Sequence, residues 1–190
     1  MPVGVSYQDS NFKKVISLEH PDIRRSLIMI GGVGKSTTEA GTVFGKITSG
    51  EDAGKVRPLG LTYITQAEAE AASTFKVADA SVLKVGDSIK IADGSAVTIT
   101  AVDKVNNTFS VDTEDAQTAD LNDAVTLQDG SDEAFGVSVE PLEASDTDQP
   151  VPLIIHGVVY EKAITNALLA TQLTAVKEDL FNRLWFIESY

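Results

Sequence analysis

Alternation of apolar and polar residues in the middle of the chain is the feature that most restricts its fold. Apolar side chains alternate with polar ones in three runs, 85–91, 97–101 and 109–111, with Asp87 as the one polar residue on the apolar face. A period of two is typical of β-strands with one buried face. Asp93-Gly94 and Asn106-Asn107 separate the runs, and both are hairpin-turn sequences. These segments therefore predict a three-stranded antiparallel meander.

The meander is predicted to belong to a small barrel. Three side chains of its first run are expected to share the buried face: Val85, Ile89 and Ile91. Two further apolar runs, Phe75–Val77 and Val125–Leu127, supply additional strands. Together they indicate a small β-barrel of the SH3 or OB type over residues 62–133. An OB barrel that binds nucleic acid needs aromatic platforms and positive charge, and the meander has a single aromatic residue, Phe109.

The remaining elements predict a mainly β protein with a C-terminal α-helix. Further strands are expected in five segments: Leu27–Ile30, 41–47, 55–61, Ala134–Val139 and Val151–Tyr160. Thr65-Gln66-Ala67-Glu68 fits a capping box and predicts a short helix through Ala72. Five apolar residues near the end repeat at helical spacing: Leu169, Leu173, Val176, Leu180 and Leu184.

Negative charge is concentrated in one part of the chain. The net charge is −13, and no lysine or arginine occurs between Lys104 and Lys162. Such a surface repels phosphates, so we expect no nucleic-acid partner. Solubility explains the charge most simply. A calcium site at Asp129-Gly130-Ser131-Asp132-Glu133 is the sharper alternative, although this run lacks the alternating ligands of an EF-hand.

Few residues are suited to catalysis. The chain has no cysteine, and its two histidines, His20 and His156, are far apart in sequence. We therefore expect no catalytic residue, no metal site, no cofactor and no enzymatic activity. No apolar run reaches the ~18 residues of a membrane span, and no signal peptide is visible. Synthesis in a cytoplasm, without a membrane partner, is the corresponding expectation.

The segment Gly31–Thr48 has two competing interpretations. Its first half, Gly31-Gly32-Val33-Gly34-Lys35-Ser36-Thr37, is similar to a phosphate-binding loop. Met29 stands where the first glycine of that motif belongs, and Ile30 where the partition ATPases have a leading lysine. The loop also requires a following helix, but the next residues are rich in glycine and β-branched side chains. A nucleotide-hydrolysing enzyme is therefore the least favoured hypothesis.

The second half of this segment resembles a known family. Ala40–Thr48 is similar to the AGTVLGKIT segment of the lambda-type phage head decoration proteins, with Phe44 in place of the leucine. Ala134–Val137 resembles the A-x-G-[IV] strand of that family, and Val151–Val159 resembles its V-P-x-L-V-x-G-x-V strand. The structural positions of these motifs are Gly41, Val43, Gly45, Ile47, Gly136, Pro152 and Gly157.

The resemblance implies a fold, an arm and a capsid partner. A β-tulip-like decoration domain would comprise residues 41–61 and 134–190, with the barrel of residues 62–133 inserted into a loop. Residues 1–40 would form a capsid-binding arm and linker, anchored by Val5, Tyr7, Phe12, Val15, Ile16 and Leu18. Trp185 and Phe186 are possible interface residues.

The expected partners follow from this family. They are the major capsid protein and two further copies of the chain in a homotrimer, on the outer surface of a virion. No small-molecule substrate is expected. The alternative is a phage or bacterial surface or fibre module whose barrel binds a glycan.

Overall fold

The computed structural model describes residues 22–187. This part of the chain is mainly β, with one α-helix near its C-terminal end, which confirms the predicted fold class. In chain order the strands are β1 (Ile23–Met29), β2 (Thr37–Thr38), β3 (Val43–Lys46), β4 (Val56–Pro58), β5 (Leu61–Tyr63), β6 (Glu68–Ala72), β7 (Thr74–Lys76), β8 (Ser88–Ile91), β9 (Val97–Asp103), β10 (Thr108–Val111), β11 (Gln117–Ala119), β12 (Ala124–Leu127), β13 (Ala134–Ser138), β14 (Leu142–Glu143), β15 (Gln149–Tyr160) and β16 (Leu184–Ile187). The helix α1 spans Ala170–Leu180.

Five strands form a closed ring. We call this ring, together with β16 and α1, the body. The order is β1-β4-β3-β13-β15, and β15 pairs with β1 to close the ring. The long strand β15 also pairs in parallel with β16. The interior of the ring holds one apolar cluster: Met29, Phe44, Val56, Val151 and Leu153. The predicted strand Val151–Tyr160 is therefore confirmed as part of β15.

Helix α1 packs against the outside of this ring. Successive side chains of a strand face opposite sides, so Phe44 points into the ring while its neighbour Val43 contributes to a second cluster. That cluster joins the strands to α1 and β16 through Val43, Val137, Ile154, Val159, Val176, Leu180 and Leu184. The helix ends at Leu180, so the expectation that Leu184 continues its apolar stripe is wrong. The aromatic and β-branched residues at 185–187 favour a strand, and they pair with β15.

The other large sheet, over residues 61–127, is a small barrel in the order β5-β12-β8-β9-β10-β7. A bridge between Ile64 and Val77 joins its two ends. The predicted meander is confirmed as β8, β9 and β10. The Phe109 ring of the meander stacks in the barrel core on Phe75 of β7, with centroids 5.3 Å apart. Val85 is an exception, because it lies before β8 begins and is 58% exposed.

The short helix predicted over residues 65–72 is wrong. Residues Glu68–Ala72 form β6, which pairs antiparallel with β11. Alanine and glutamate favour helices, but intrinsic preference is weak and tertiary pairing overrides it. The two strands form a small ribbon that is separate from the six-stranded barrel sheet.

The chain enters the barrel after β4 and returns to the body at β13. Residues 23–29, which we expected within the arm and linker of residues 1–40, form β1 and belong to the body sheet. The six predicted arm anchors, Val5, Tyr7, Phe12, Val15, Ile16 and Leu18, lie outside the described residues.

Candidate interaction surface

Strand β1 is exposed on both faces over residues 23–26, although Met29 at its end is buried. Ile23 is 54% exposed and Ile28 is 45% exposed, and the three residues that follow Ile23 are exposed as well. Because consecutive side chains of a strand face opposite sides, exposure at consecutive positions means that neither face is covered. A strand of this kind presents its full width to solvent.

One edge of β1 also lacks a strand partner within residues 22–187. The strand pairs with β15 along its length, but with β4 only at Met29. The backbone groups on the outer side of residues 23–28 are therefore available to an incoming strand. An edge of this kind is a template for pairing with another chain.

Three exposed apolar side chains lie on or beside β1, and we call this set the β1 strip: Ile23, Ile28 and Trp185. Ile28 lies opposite Pro150, and Ile23 lies opposite His156. The His156 ring is 6.4 Å from the ring of Trp185, which is half exposed. Residues directly opposite each other share a face of the sheet. Ile23 and Ile28 lie near the two ends of β1, with the exposed polar residues Arg24, Arg25 and Ser26 between them.

The charge beside the strip is basic, in contrast to the chain as a whole. Arg24 and Arg25 are both exposed on β1, and Arg24 Nε lies 2.6 Å from Asp22 Oδ2. An exposed ion pair of this kind contributes little to stability. Arg24 and Arg25 favour a partner of complementary charge beside the strip.

The two predicted interface aromatics face different surroundings. Trp185 belongs to the β1 strip, whereas Phe186 is only partly exposed and packs against the cluster beneath α1. Phe181, which sequence reasoning did not single out, is 69% exposed directly after α1. It borders a shallow groove with Thr174, Lys177 and Glu178. Phe181 directly follows Leu180 and does not fall on the spacing of the buried residues. That position was the signal in the sequence that its side chain is exposed.

The motif residues hold the body together. Val43 and Ile47 are buried, and a side chain at Gly45 would collide with the carbonyl group of Ser131. Gly41, with a φ of 92°, similarly leaves room for the Ala163 carbonyl oxygen. Gly136, Pro152 and Gly157 lie in β13 and β15. Gly41 and Gly45 therefore have a structural role, since each permits a close approach of two backbones.

The glycine-rich turn at Gly31–Lys35 does not have the geometry of a phosphate-binding loop. Such a loop holds phosphate with free backbone amides and the N-terminus of a helix. Here the Gly31 amide donates to Asp148 Oδ1 at 3.1 Å. The amides of Gly32 and Gly34 donate to the carbonyl groups of Ser145 and Ser81. The next element is the short strand β2, and the neighbouring cleft holds only about 70 Å³.

Asp129, one of the proposed calcium ligands, is engaged by the protein. Asp129 Oδ1 accepts from the amide and hydroxyl of Ser131, and Oδ2 accepts from Arg57 at 3.1 Å. Burial, reinforced by Glu133, Asp129 and Asp179, raises the pKa of Asp132. Within residues 22–187 no group of three histidine, aspartate or glutamate side chains is placed to hold a metal ion. In the same range no helix is long and apolar enough to span a bilayer.

Comparisons with protein families, curated proteins and solved structures find no match to this chain. The resemblance to the decoration proteins therefore rests on its three sequence motifs. The function has to be inferred from the motifs and from the surfaces that the fold exposes.

Proposed function

We propose that this chain is a structural protein of a phage virion, which binds the outer surface of the mature capsid and stabilises it. The observation that carries the proposal is the exposed edge of β1, which has no partner strand along residues 23–28 within the described range and lies inside the segment 1–40 predicted to be the arm and linker. An extended arm and an open strand edge at the same end of a body are suited to pairing with another polypeptide. The partner would be the major capsid protein.

The motif residues support the same proposal from within the fold. Val43 and Ile47 are buried, and Gly41 and Gly45 permit close backbone contacts. They do so in β3 of the body or directly beside it. A motif that maintains the fold is consistent with a structural protein that binds and stabilises a capsid. The β-tulip-like description of the body is part of this proposal.

A homotrimer is the oligomeric state we propose, from the family resemblance. Three arms on one trimer would engage the capsid together, and the second and third contacts would then form at a high effective concentration. Weak individual contacts can give tight binding in this way. A virion location on the outer capsid surface follows from the same proposal.

The glycan-binding alternative has less support. Sugar-binding surfaces commonly use an exposed aromatic ring as a platform, since a ring offers a large apolar face with a polar edge. In the barrel, Phe75 and Phe109 are both buried in the core, and Tyr63 is only partly exposed.

Cosedimentation with expanded, undecorated capsids of the parent phage tests the proposal. We expect the full chain to pellet with the capsids, and a chain lacking residues 1–20 to stay in the supernatant while remaining folded. We expect Ile28→Lys in the full chain to weaken binding, because it places a charge on the β1 strip. Val105→Lys is the matched control, since Val105 is 91% exposed on the barrel and should not affect binding.

The outcomes separate the parts of the proposal. Failure of the full chain to bind would contradict the capsid function. Equal binding by the truncated chain would contradict the role of the arm, and equal binding by Ile28→Lys would contradict the role of the β1 strip.

A further inference from the structure

A buried arginine joins the body to the barrel. Arg57 lies in β4 of the body, and its side chain is 1% exposed. Its Nη2 and Nη1 atoms donate to the two carboxylate oxygens of Asp87 at 2.6 and 3.0 Å. Nη2 also donates to the Val82 carbonyl oxygen at 2.7 Å, and Nη1 to Asp129 at 3.1 Å. Val82 and Asp87 belong to the barrel, so one side chain of the body is held by several acceptors across the junction.

The geometry of this contact is directional. Two parallel N–H···O bonds between a guanidinium and a carboxylate fix the relative orientation of their planes. A buried charge that loses its partners is costly, because it is then neither solvated nor paired. The barrel therefore cannot rotate away from β4 without exposing Asp87 or leaving Arg57 uncompensated.

The glycine-rich turn makes a second contact with the barrel, with donors on both sides. Lys104 of the barrel donates from Nζ to the Gly32 carbonyl oxygen at 2.8 Å. The Gly34 amide donates to the Ser81 carbonyl oxygen at 2.8 Å, and Lys35 Nζ lies 3.2 Å from an oxygen of Asp79. The pKa of Lys104 is lowered, mainly because the side chain is partly buried. The glycine-rich turn, whose sequence is similar to a phosphate-binding loop, thus binds the barrel.

We propose that Arg57 and the glycine-rich turn form a two-point lock that holds the inserted barrel in one fixed orientation on the body. Two covalent crossings of the chain, after β4 and before β13, would by themselves act as a hinge. The lock prevents rotation about that hinge, assisted near it by Gln172 of α1, whose Nε2 donates to the Thr62 carbonyl oxygen at 3.1 Å. The barrel is then a rigid projection, and whatever it meets is met at a defined angle.

The lock is tested by breaking one point and measuring shape and local opening. In Arg57→Met, small-angle scattering should show a larger maximum dimension than in the wild type. Hydrogen exchange should become at least tenfold faster in residues 79–91 and 31–35, while β13 and β15 keep their protection. Lys90→Met is the matched control, because Lys90 is an exposed barrel residue, and it should leave both measurements unchanged.

A second variant keeps the proposal testable if Arg57→Met does not fold. Lys104→Met removes the donor to Gly32 without burying a charge, and it should accelerate exchange in residues 31–35 and 79–83. If the folded variants show the same scattering and the same hydrogen exchange as the wild type, the proposed lock is overturned. Equal loss of protection in β13 and β15 would also overturn it, since Arg57 would then support the core of the body instead.

Discussion

Replacing Phe44 with alanine should destabilise the protein strongly, because Phe44 fills the interior of the body ring. Its side chain is fully buried at 0% exposure and packs with Met29, Val56, Val151 and Leu153. Removal of a buried phenylalanine costs about 3–5 kcal/mol, depending on how far the site can collapse. The five strands of the ring pair around its circumference, with β1 and β4 joined at Met29 and Val56, so it can contract little. We therefore expect a loss of about 4 kcal/mol.

The leucine variant is the informative comparison. Phe44→Leu keeps most of the apolar volume and introduces the residue of the decoration-protein motif. We expect a loss of about 1 kcal/mol, in the range of other swaps that keep the core apolar and nearly filled. For a chain of this length, the loss of about 4 kcal/mol expected for Phe44→Ala corresponds to a fall in Tm of roughly 8–16 °C.

Fluorescence of Trp185, the only tryptophan, reports the unfolding of the body. Guanidinium unfolding curves of the wild type and both variants give the free energies. Val105→Ala is the control, because its side chain is 91% exposed and its removal should change stability by less than about 0.5 kcal/mol. A loss below about 1 kcal/mol in Phe44→Ala, or equal losses in the two Phe44 variants, would refute the closed, rigid interior.

Three other substitutions have defined outcomes. Gly45→Ala should give a poorly folded protein by circular dichroism, since its Cβ would overlap the Ser131 carbonyl group; a wild-type Tm would contradict this contact. Burial raises the pKa of Asp132, so its carboxylate opposes folding at pH values above the ordinary aspartate range; Asp132→Asn should raise Tm at pH 7 and not at pH 3, and no change at pH 7 would refute this reasoning. The Lys55 side chain and the Gly31 amide lower the pKa of Asp148, so its contribution is present above the unfolded-state pKa and is lost as pH falls through the folded-state value. Asp148→Asn should therefore lower Tm at pH 7, with a difference that disappears in strong acid; a difference that persists there would show another cause.

The strands could be predicted where a local pattern determined them. Ile89, Ile91 and Phe109 alternate with polar residues and are buried as expected, because period-two alternation requires only that one face be covered. Val85 fits the same alternation but precedes β8, and its neighbour Gly86 adopts a left-handed turn with a φ of 91°. The pattern could not show where the strand begins.

Features that depend on distant parts of the chain could not be predicted. Residues 68–72 have a helical composition, but β11 recruits them into a strand. Arg57 carried a weak signal, a charged residue between Val56 and Pro58. Its partners Asp87 and Asp129 are thirty or more residues away. The exposed edge of β1 was also missed, because exposure of both faces depends on what the rest of the ring leaves uncovered.

Capsid stability tests the central proposal most directly. Expanded capsids of the parent phage are heated with and without the purified chain, and their disruption is followed by scanning calorimetry. A protein that clamps neighbouring capsid subunits should raise the disruption temperature, because it binds the intact shell and not the separated subunits. The rise should be larger at higher protein concentration and absent for a chain lacking residues 1–20. An unchanged disruption temperature at saturating protein would contradict the capsid-stabilising function.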